Sequence, residues 1–511
     1  MSAPLSRRTL LGLAVGTTAA VAVPPGVADA TSKTALPQRD IEALENKIRE
    51  GMARYRIPGV AVGLWSRGCA YLRGFGVTDV DRPTPVTADT VFRVASTTKT
   101  FTGTAIMRLV ERHQVELDRT VRSYLPDFRT ADAAASNRVT VRQVLNHSAG
   151  WLGDFFLDTG NGDDAIAEYV AAMSQLPQLT PPGSTFAYNN AALALAGRLI
   201  ETTTHTTYER AVQELVSQPL GLRHTAFSLD DLPGVSWAVP HDIDPTTLKP
   251  VAVPGYWALP RSINAAGGLI SSARDQLRWA RFQLGNGQPL LTRRALQFMQ
   301  SHPGPGGTLF VELDGVGVTW MIRPTAEGPK VIQHGGDWSG QHSGFLMVPE
   351  RDFALTVLTN SEGGPGLTAE LFADDWALRR FAGVCNLPAV PRAQPASVLA
   401  GYEGSYTAGE ILPDGTPVAI TFDVVADAGQ LSLRIGGVEG LRLAFYRRDY
   451  VLALAPDGSD THVRANFVRG AEGSVVWLRY GGRLYRRGGT ASALSTAGRS
   501  LPAPATLPYA K

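Results

Sequence analysis

The most informative segment of this chain reads Phe92-Arg93-Val94-Ala95-Ser96-Thr97-Thr98-Lys99-Thr100-Phe101-Thr102-Gly103. A serine or threonine that opens a helix can cap it, and a residue three positions later lies on the same face one turn on. The Lys99 amine is therefore predicted to reach the Ser96 hydroxyl. A serine needs a neighbouring group to take its proton before it acts as a nucleophile. The pair predicts nucleophilic catalysis, with Ser96 as the nucleophile.

The scarcity of lysine supports this interpretation. Only 6 of the 48 cationic residues are lysine, so arginine carries most of the ordinary positive charge of the chain. Arginine keeps its proton, whereas a desolvated lysine can lose it and serve as a base. The alternative, a helix cap followed by a surface lysine, is the usual explanation of an isolated S-x-x-K. Other motifs therefore have to decide between the two.

Two such motifs follow in order, Tyr188-Asn189-Asn190 and His334-Gly335-Gly336. The series S-x-x-K, Y-x-N and H-x-G resembles the signature of the serine hydrolases related to class C β-lactamases and DD-peptidases. The chain is identified as a member of that family. The resemblance spans roughly residues 40 to 385 and includes three further segments: Val144–Gly150, Ala265–Ala273 and Leu355–Asn360.

The resemblance implies roles for the first two motifs. Ser96 would attack a carbonyl and form an acyl-enzyme, and either Lys99 or Tyr188 would accept its proton, a question that is disputed in some S-x-x-K enzymes. Tyr188 would also return a proton to the leaving group. Asn190 would orient the substrate amide or its acyl side chain.

The third motif is expected to complete the site. His334 would support Tyr188 and the substrate, and Gly336 and Asp337 would lie beside the reacting carbonyl. Backbone N–H groups of Ser96 and Asp337 would hold the oxyanion, since backbone donors aimed at developing charge stabilise such intermediates.

One departure from the β-lactamases bears on the substrate. Their third motif is K-T-G, whose lysine recognises the carboxylate of the drug, whereas His334 is only partly charged near neutral pH. This favours esterase, amidase or D-aminopeptidase activity over the hydrolysis of penicillins or cephalosporins. Two further histidines are expected to have other roles, His147 a structural one and His342 a surface or structural one.

The order of predicted elements indicates an α+β fold, in which one antiparallel sheet receives strands from both ends of the catalytic part and a helical subdomain lies between them. Helices are predicted over residues 39–55 and near Thr368–Phe381. Strands are predicted at Gly59–Trp65, Cys69–Gly76, Val331–Gln333, Ser343–Val348 and Asp352–Thr359.

The C-terminal part has a different composition. Residues 386–397 form a proline-rich linker, and residues 398–488 alternate short β-rich runs with turn signals such as Pro413-Asp414-Gly415. This pattern predicts a small antiparallel barrel or sandwich. Tyr402-Glu403-Gly404-Ser405-Tyr406 at its start and Gly482-Arg483-Leu484-Tyr485-Arg486 at its end resemble the lipocalin-like domain of many relatives, which implies a β-barrel. The barrel could shape the substrate cleft or merely protect the core. Residues 489–511 are predicted to be a disordered tail.

The N-terminus is predicted to be a targeting signal. A twin arginine, Arg7-Arg8, precedes an apolar run, and Ala28-Asp29-Ala30 offers a cleavage site. Residues 1–30 are therefore interpreted as a twin-arginine export signal, with a retained N-terminal anchor as the alternative. Residues 31–385 would form the catalytic domain of an exported enzyme, and no stable membrane span is expected.

Several classes of function are disfavoured. The formal net charge is +2 and no basic cluster stands out, so a nucleic-acid partner is not predicted. The chain has no G-x-S-x-G, no H-E-x-x-H and no clustered Cys/His set, so no metal or cofactor is predicted. Cys69 and Cys385 fit no metal spacing, and either a disulfide between them or two buried thiols is compatible with the sequence.

The sequence thus predicts an exported, metal-independent serine hydrolase that cleaves an ester or amide bond in a small-molecule or peptide substrate. The alternatives are a β-lactamase or DD-carboxypeptidase, a peptide-cyclising acyltransferase, and a penicillin or peptidoglycan sensor that acylates without turnover. The sequence does not indicate an oligomeric state.

Overall fold

The computed structural model describes residues 36–285, 290–427 and 429–489. The predicted export signal and residues 490–511 lie outside this part. No helix within the described residues combines the length and the apolar character needed to cross a membrane. The α-helices are α1 (Gln38–Tyr55), α2 (Thr98–Glu111), α3 (Ala133–Arg138), α4 (Val141–Leu145), α5 (Ala165–Ala172), α6 (Asn190–Thr204), α7 (Tyr208–Val212), α8 (Asn264–Gly267), α9 (Ala273–Gln283), α10 (Arg293–Ser301), α11 (Gly364–Thr368) and α12 (Ala396–Leu399).

The catalytic part is built on an eight-stranded antiparallel sheet. Its strands are β1 (Gly59–Ser66), β2 (Cys69–Gly76), β10 (Gly315–Val316), β11 (Met321–Arg323), β12 (Val331–Gln333), β13 (Gly336–Trp338), β14 (Gln341–Val348) and β15 (Phe353–Thr359). The strand order is β10-β11-β12-β14-β15-β1-β2, and β13 pairs with β14. The first two strands of the chain thus join strands that follow the helical middle. The predicted antiparallel sheet with a helical insert is confirmed.

The two faces of this sheet pack against different layers. Leu44 and Ile48 of α1 are fully buried against one face. On the other face, α9 and α2 contribute Trp279 and Phe101, whose rings stack with centroids 3.9 Å apart. This larger core fixes α2, and α2 carries the S-x-x-K lysine.

Short β-elements supply the walls of the cleft. A three-stranded sheet contains β3 (Val91–Arg93), β4 (Thr225–Ala226) and β7 (Ile270–Ser272), in the order β3-β7-β4. Two small hairpins pair β5 (His241–Ile243) with β6 (Pro250–Ala252) and β8 (Gly307–Leu309) with β9 (Val311–Leu313). Strand β3 runs directly into the segment that holds Ser96.

The prediction of a single helix near Thr368–Phe381 is wrong. Helix α11 ends at Thr368, and two short π-helical segments follow at residues 369–373 and 378–382. The backbone leaves the helical region at Asp374, where ψ is 159°. The buried guanidinium of Arg323 donates to the carbonyls of Phe372 and Ala373, so these acceptors are satisfied without a continuous helix.

The C-terminal part contains a closed eight-stranded antiparallel barrel, as predicted. It closes by pairing of its first and last strands. Tyr406, Phe422 and Phe467 lie in its core. The strands are β16 (Gly404–Ile411), β17 (Pro417–Asp427), β18 (Gln430–Ile435), β19 (Val438–Arg447), β20 (Tyr450–Leu454), β21 (Asp460–Arg469), β22 (Val475–Tyr480) and β23 (Arg483–Arg487).

Two hairpins at one end of the barrel contact the catalytic part. At the tip of the β16–β17 hairpin, the Ile411 N–H donates to the Asp154 carbonyl at 2.8 Å and the Ile411 carbonyl accepts from Phe156 at 2.8 Å. In the β22–β23 hairpin, the Gly482 carbonyl accepts from the N–H of Tyr188 at 2.9 Å. The barrel therefore borders the residues of the Y-x-N motif directly.

Leu44→Ala tests the packing of α1. Leu44 is fully buried, so its truncation should leave a cavity and lower the free energy of unfolding by about 2–5 kcal/mol. The change is measured by urea unfolding followed by tryptophan fluorescence. Glu50→Ala, an exposed site on the same helix, is the control and should shift stability by less than about 0.5 kcal/mol. Equal effects of the two substitutions would contradict the packing.

Candidate active site

Ser96 lies in a tight turn, Ala95–Thr97, between β3 and α2. Ala95 adopts φ 44°, in the left-handed region that a residue with a side chain rarely occupies. The surrounding structure holds this conformation, because the Thr98 hydroxyl donates to the Ala95 carbonyl at 2.6 Å and the Thr97 and Ser343 hydroxyls are 3.0 Å apart. Strained backbone of this kind clusters at functional sites, where it fixes a side chain in one position.

The Lys99 amine is fully buried and contacts the Ser96 hydroxyl. Its Nζ lies 3.0 Å from Ser96 Oγ and 2.6 Å from the carbonyl oxygen of Ala266 in α8. Burial lowers the pKa of Lys99 well below its usual value, and the positive charge of Arg483 lowers it further, whereas Asp154 acts in the opposite direction. The predicted contact of the two side chains is present, and burial favours the neutral form of the amine.

Tyr188 is positioned by the start of α6. The Asn189 side chain caps this helix by accepting from the Ala192 N–H at 2.8 Å, and its amide donates to the Trp151 carbonyl at 2.8 Å. The cap fixes the residue before it. The Tyr188 N–H is in turn held by the Gly482 carbonyl of the barrel.

Polar and aromatic groups surround the Tyr188 ring. His147 stacks on it with centroids 4.6 Å apart, Lys99 Nζ lies 5.0 Å from its centroid, and the Arg483 guanidinium carbon lies 4.7 Å from it. Burial raises the pKa of Tyr188, and its contact with the Ser96 hydroxyl and the Arg483 charge only partly offset this. Tyr188 is therefore a neutral phenol, able to donate a proton.

His147 lies behind Tyr188. It is fully buried, and its Nδ1 accepts from the Asn189 N–H at 3.0 Å, which leaves the ring proton of the neutral imidazole on Nε2. Burial lowers its pKa well below the usual value. His147 therefore orients Tyr188 by stacking and by its bond to the next residue.

His334 follows β12 and is also buried. Its Nδ1 is 2.6 Å from the Gly335 carbonyl and must donate to it, so Nε2 carries the lone pair. Burial lowers the pKa of His334 to about 3. The residue is thus a neutral acceptor near Tyr188, with ring centroids 6.2 Å apart, and not the partly charged group that the sequence suggests.

Gly336 lets β13 pack directly against the turn Ala95–Thr97, which carries Ser96. A Cβ at Gly336 would lie 2.2 Å from the Val94 carbonyl oxygen and 2.6 Å from the Ser96 nitrogen, so only glycine fits. Asp337 follows on the same strand with its side chain 65% exposed. His342, which lies in the interior and not at the surface, holds Asp337 Oδ1 at 2.8 Å from its own Nδ1.

Asn190 belongs to an unpredicted polar group. Its amide donates to Asp154 Oδ1 at 2.8 Å. Asp154 also receives two hydrogen bonds from the Arg483 guanidinium, at 2.8 Å and 3.1 Å. The barrel thus delivers an arginine to the catalytic residues. The sequence predicts no role in the active site for Asp154 or Arg483, although Arg483 lies in a segment that resembles the lipocalin-like domain and follows the glycine pair of a tight turn.

The turn at Gly481-Gly482 requires glycine. Both residues have positive φ, 54° and 76°, and a Cβ at Gly482 would lie 2.5 Å from a methyl carbon of Leu309 and 3.1 Å from Tyr188 Cβ. The close approach lets the hairpin reach the Tyr188 backbone.

Comparison with known proteins shows similarity to one family. The sequence model of the Beta-lactamase family matches residues 44–378. Penicillin-binding protein 4 of Amycolatopsis lactamdurans is 30% identical over 356 residues, which cover 68% of this chain and 93% of that protein. The unguisins hydrolase of Aspergillus campestris is 25% identical over 61% of this chain and 60% of its own length.

Among solved structures, SurE in complex with D-Leu is similar with a TM-score of 0.68 and 27% identity, covering 88% of this chain and all of that one. A class C β-lactamase from Rhodobacter sphaeroides is similar with a TM-score of 0.51 and 22% identity, covering 63% of this chain and 94% of that one. At 22% identity, the second comparison shows a shared fold.

Gly336→Ala tests the contact between β13 and the nucleophile turn. The added methyl would push the strand away from Ser96 and displace the Asp337 N–H, so kcat should fall by about 100-fold or more. Gly335→Ala is the matched control, because a Cβ there meets only the Ser343 carbonyl, at 3.0 Å; it should retain activity within about 10-fold. Steady-state kinetics with a p-nitrophenyl ester measures both. Equal losses would contradict the assigned contact.

The pH dependence of activity tests the state of Lys99. A base with a lowered pKa is neutral above that pKa, so kcat/KM should fall as the pH decreases through it. Arg483→Gln removes a charge that lowers the Lys99 pKa, and Asp154→Asn removes one that raises it. The acidic limb should therefore move to higher pH in the first variant and to lower pH in the second, each by roughly half a unit or more.

The control is Arg448→Gln, an exposed arginine on the β19–β20 turn, which should leave the limb in place. Shifts of Arg483→Gln and Asp154→Asn in the same direction would show that Lys99 is not the titrating group.

Proposed function

The chain belongs to the Beta-lactamase family of serine hydrolases, and on that premise we propose that it hydrolyses an ester or amide bond in a peptide through an acyl-enzyme on Ser96. The observation that carries the proposal is the 3.0 Å contact between Ser96 Oγ and the buried Lys99 amine. A neutral amine beside a serine hydroxyl can take the hydroxyl proton, and this activates the serine oxygen as the nucleophile that acyl transfer requires.

Acylation begins with proton transfer from Ser96 Oγ to Lys99 Nζ as the oxygen attacks the substrate carbonyl. Lys99 is favoured as the base because burial keeps its amine neutral, whereas burial keeps the Tyr188 phenol protonated. The new C–O bond gives a tetrahedral intermediate with a negative oxygen. Backbone N–H groups of Ser96 and Asp337 would hold that oxygen.

Tyr188 would then act as the general acid. When the bond to the leaving group breaks, the phenol donates its proton to the departing oxygen or nitrogen and is reprotonated by the Lys99 ammonium. His334 supports this step, because its Nε2 is a neutral acceptor that can orient the phenol. Water resolves the acyl-enzyme by the reverse transfers, which release the acid and restore Ser96.

The charge of the site supports a substrate other than a penicillin. Where β-lactamases present the lysine of K-T-G, this chain presents His334, uncharged at neutral pH with a pKa of about 3. A drug carboxylate would meet no cation at that position. The relatives include a hydrolase of unguisins, and the similar SurE structure was solved with D-Leu, which favours D-amino-acid residues as part of the substrate.

Two alternative functions would use the same active-site residues. A peptide-cyclising acyltransferase would resolve the acyl-enzyme with an internal amine instead of water, and a sensor would not resolve it. The complete set of Ser96, Lys99, Tyr188 and His334 favours turnover. The twin arginine at positions 7 and 8 favours export, which separates the enzyme from cytoplasmic carrier-bound substrates.

A fluorophosphonate probe tests the central claim. Mass spectrometry should show one adduct on the wild-type protein, located at Ser96, and no adduct on Ser96→Ala, because the probe requires an activated serine. p-Nitrophenyl esters and D- and L-aminoacyl anilides should be turned over by the wild type and at least about 1,000-fold more slowly by Ser96→Ala. A lasting substrate adduct without turnover would favour the sensor instead. An adduct that persists in Ser96→Ala would contradict the proposal.

A further inference from the structure

A cavity of about 170 Å³ lies between the catalytic part and the outer face of the barrel, beside Tyr188. One wall is formed by loops of the catalytic part and the other by strands β16, β22 and β23. The lining residues include Leu179 and Tyr188 of the catalytic part and Trp477, Arg483, Leu484 and Arg486 of the barrel.

The pairing register of the barrel strands determines which side chains face the cavity. Arg486 lies opposite Thr407 on one side and opposite Trp477 on the other, so these three side chains share the outer face. Leu484, two residues before Arg486, lies on the same face. Leu484 and Trp477 pack with Ala187 in one small buried cluster. The cavity therefore has an apolar wall that adjoins the catalytic Tyr188.

The size of the cavity suits one side chain. A cavity of roughly 150 Å³ is large enough to bind benzene. The space beside Leu484 and Trp477 can thus admit one branched or aromatic side chain of a substrate. Apolar burial of this kind gains affinity with each added carbon.

The cavity also has an uncompensated positive charge. It is lined by two arginines and one aspartate, and Asp154 already pairs with Arg483. Arg486 stacks over the Trp477 ring at 5.8 Å and has no carboxylate partner among the described residues. A guanidinium free of an acid partner suits a carboxylate, to which it can make two parallel hydrogen bonds.

We propose that this cavity binds the C-terminal residue of a peptide substrate, with its apolar side chain against Trp477 and Leu484 and its free carboxylate on Arg486. The inference rests on the proposed function and adds the substrate class: peptides that end in an apolar residue. The barrel thereby determines specificity as well as bordering the catalytic residues.

Binding to Ser96→Ala tests the inference separately from hydrolysis. The ligands are the D and L forms of N-acetyl-leucine, its amide and N-acetyl-alanine, titrated by calorimetry. One enantiomer of N-acetyl-leucine should bind about 10-fold or more tightly than the amide, which lacks the carboxylate, and than the alanine analogue, which lacks the apolar group.

Two variants separate the two contacts. Arg486→Gln should abolish the preference for the carboxylate and leave the preference for leucine. Leu179→Trp should fill the cavity and abolish the preference for leucine. Arg448→Gln and Val438→Trp, which make the same changes at exposed positions of the barrel, should change neither ratio. Because each ratio is measured within one variant, a general loss of folded protein does not alter it.

Absence of binding, or ratios that neither variant changes, would overturn the inference even if the wild type hydrolyses esters. Binding that appears only in a protein ending at Gly489 would identify residues 490–511 of this chain as the occupant and would also overturn it. Binding as expected without hydrolysis by the wild type would support the cavity and contradict the proposed function.

Discussion

The site depends on the burial of one amine. Lys99 is fully buried, and its Nζ has the Ser96 hydroxyl and the Ala266 carbonyl as its close polar contacts. An ammonium at this position would lose its hydration without gaining a carboxylate, because no ion pair to Lys99 is found among the described residues. Burial therefore favours the neutral amine, the form in which Lys99 can act as the proposed base. The neutral state of His334 and the raised pKa of Tyr188 have the same cause, removal from water.

The rest of the catalytic part can be understood as the support of this amine. Helix α2 is anchored by the stacking of Phe101 on Trp279, and α8 supplies the Ala266 carbonyl on the other side. Strand β13 passes so close to Ser96 that Gly336 has no room for a side chain. The positions of the proposed nucleophile, base and oxyanion donors thus depend on backbone packing, which leaves the surrounding loops free to determine the substrate.

The sequence predicts the parts of the site that are local or carried by a motif. Ser96 and Lys99 are three residues apart on one helical turn, and Tyr188 and His334 are recognised from the family signature. Arg483 could not be predicted in this way, since its partner Asp154 is 329 residues away in sequence. The contact depends on how the barrel docks, which no local pattern encodes.

The same limit explains the errors at the ends of elements. The residues near Thr368–Phe381 are compatible with a helix, but the buried Arg323 side chain donates hydrogen bonds to the carbonyls of Phe372 and Ala373 in the middle of this segment. The strand predicted from Asp352 begins at Phe353, because Asp352 turns the chain with φ 47°. In the barrel, the β-rich runs and turn signals are local, so the predicted architecture is confirmed.

The contact between the β22–β23 hairpin and Tyr188 affects when the active site can form while the chain is being synthesised. A ribosome completes Ser96, Lys99, Tyr188 and His334 well before it reaches Gly482 and Arg483, and domains generally fold in order from the N-terminus. During this interval the nascent catalytic part lacks the carbonyl that holds the Tyr188 N–H and the arginine that acts on Lys99. The polypeptide therefore cannot complete its active site until translation has passed the last strand of the barrel.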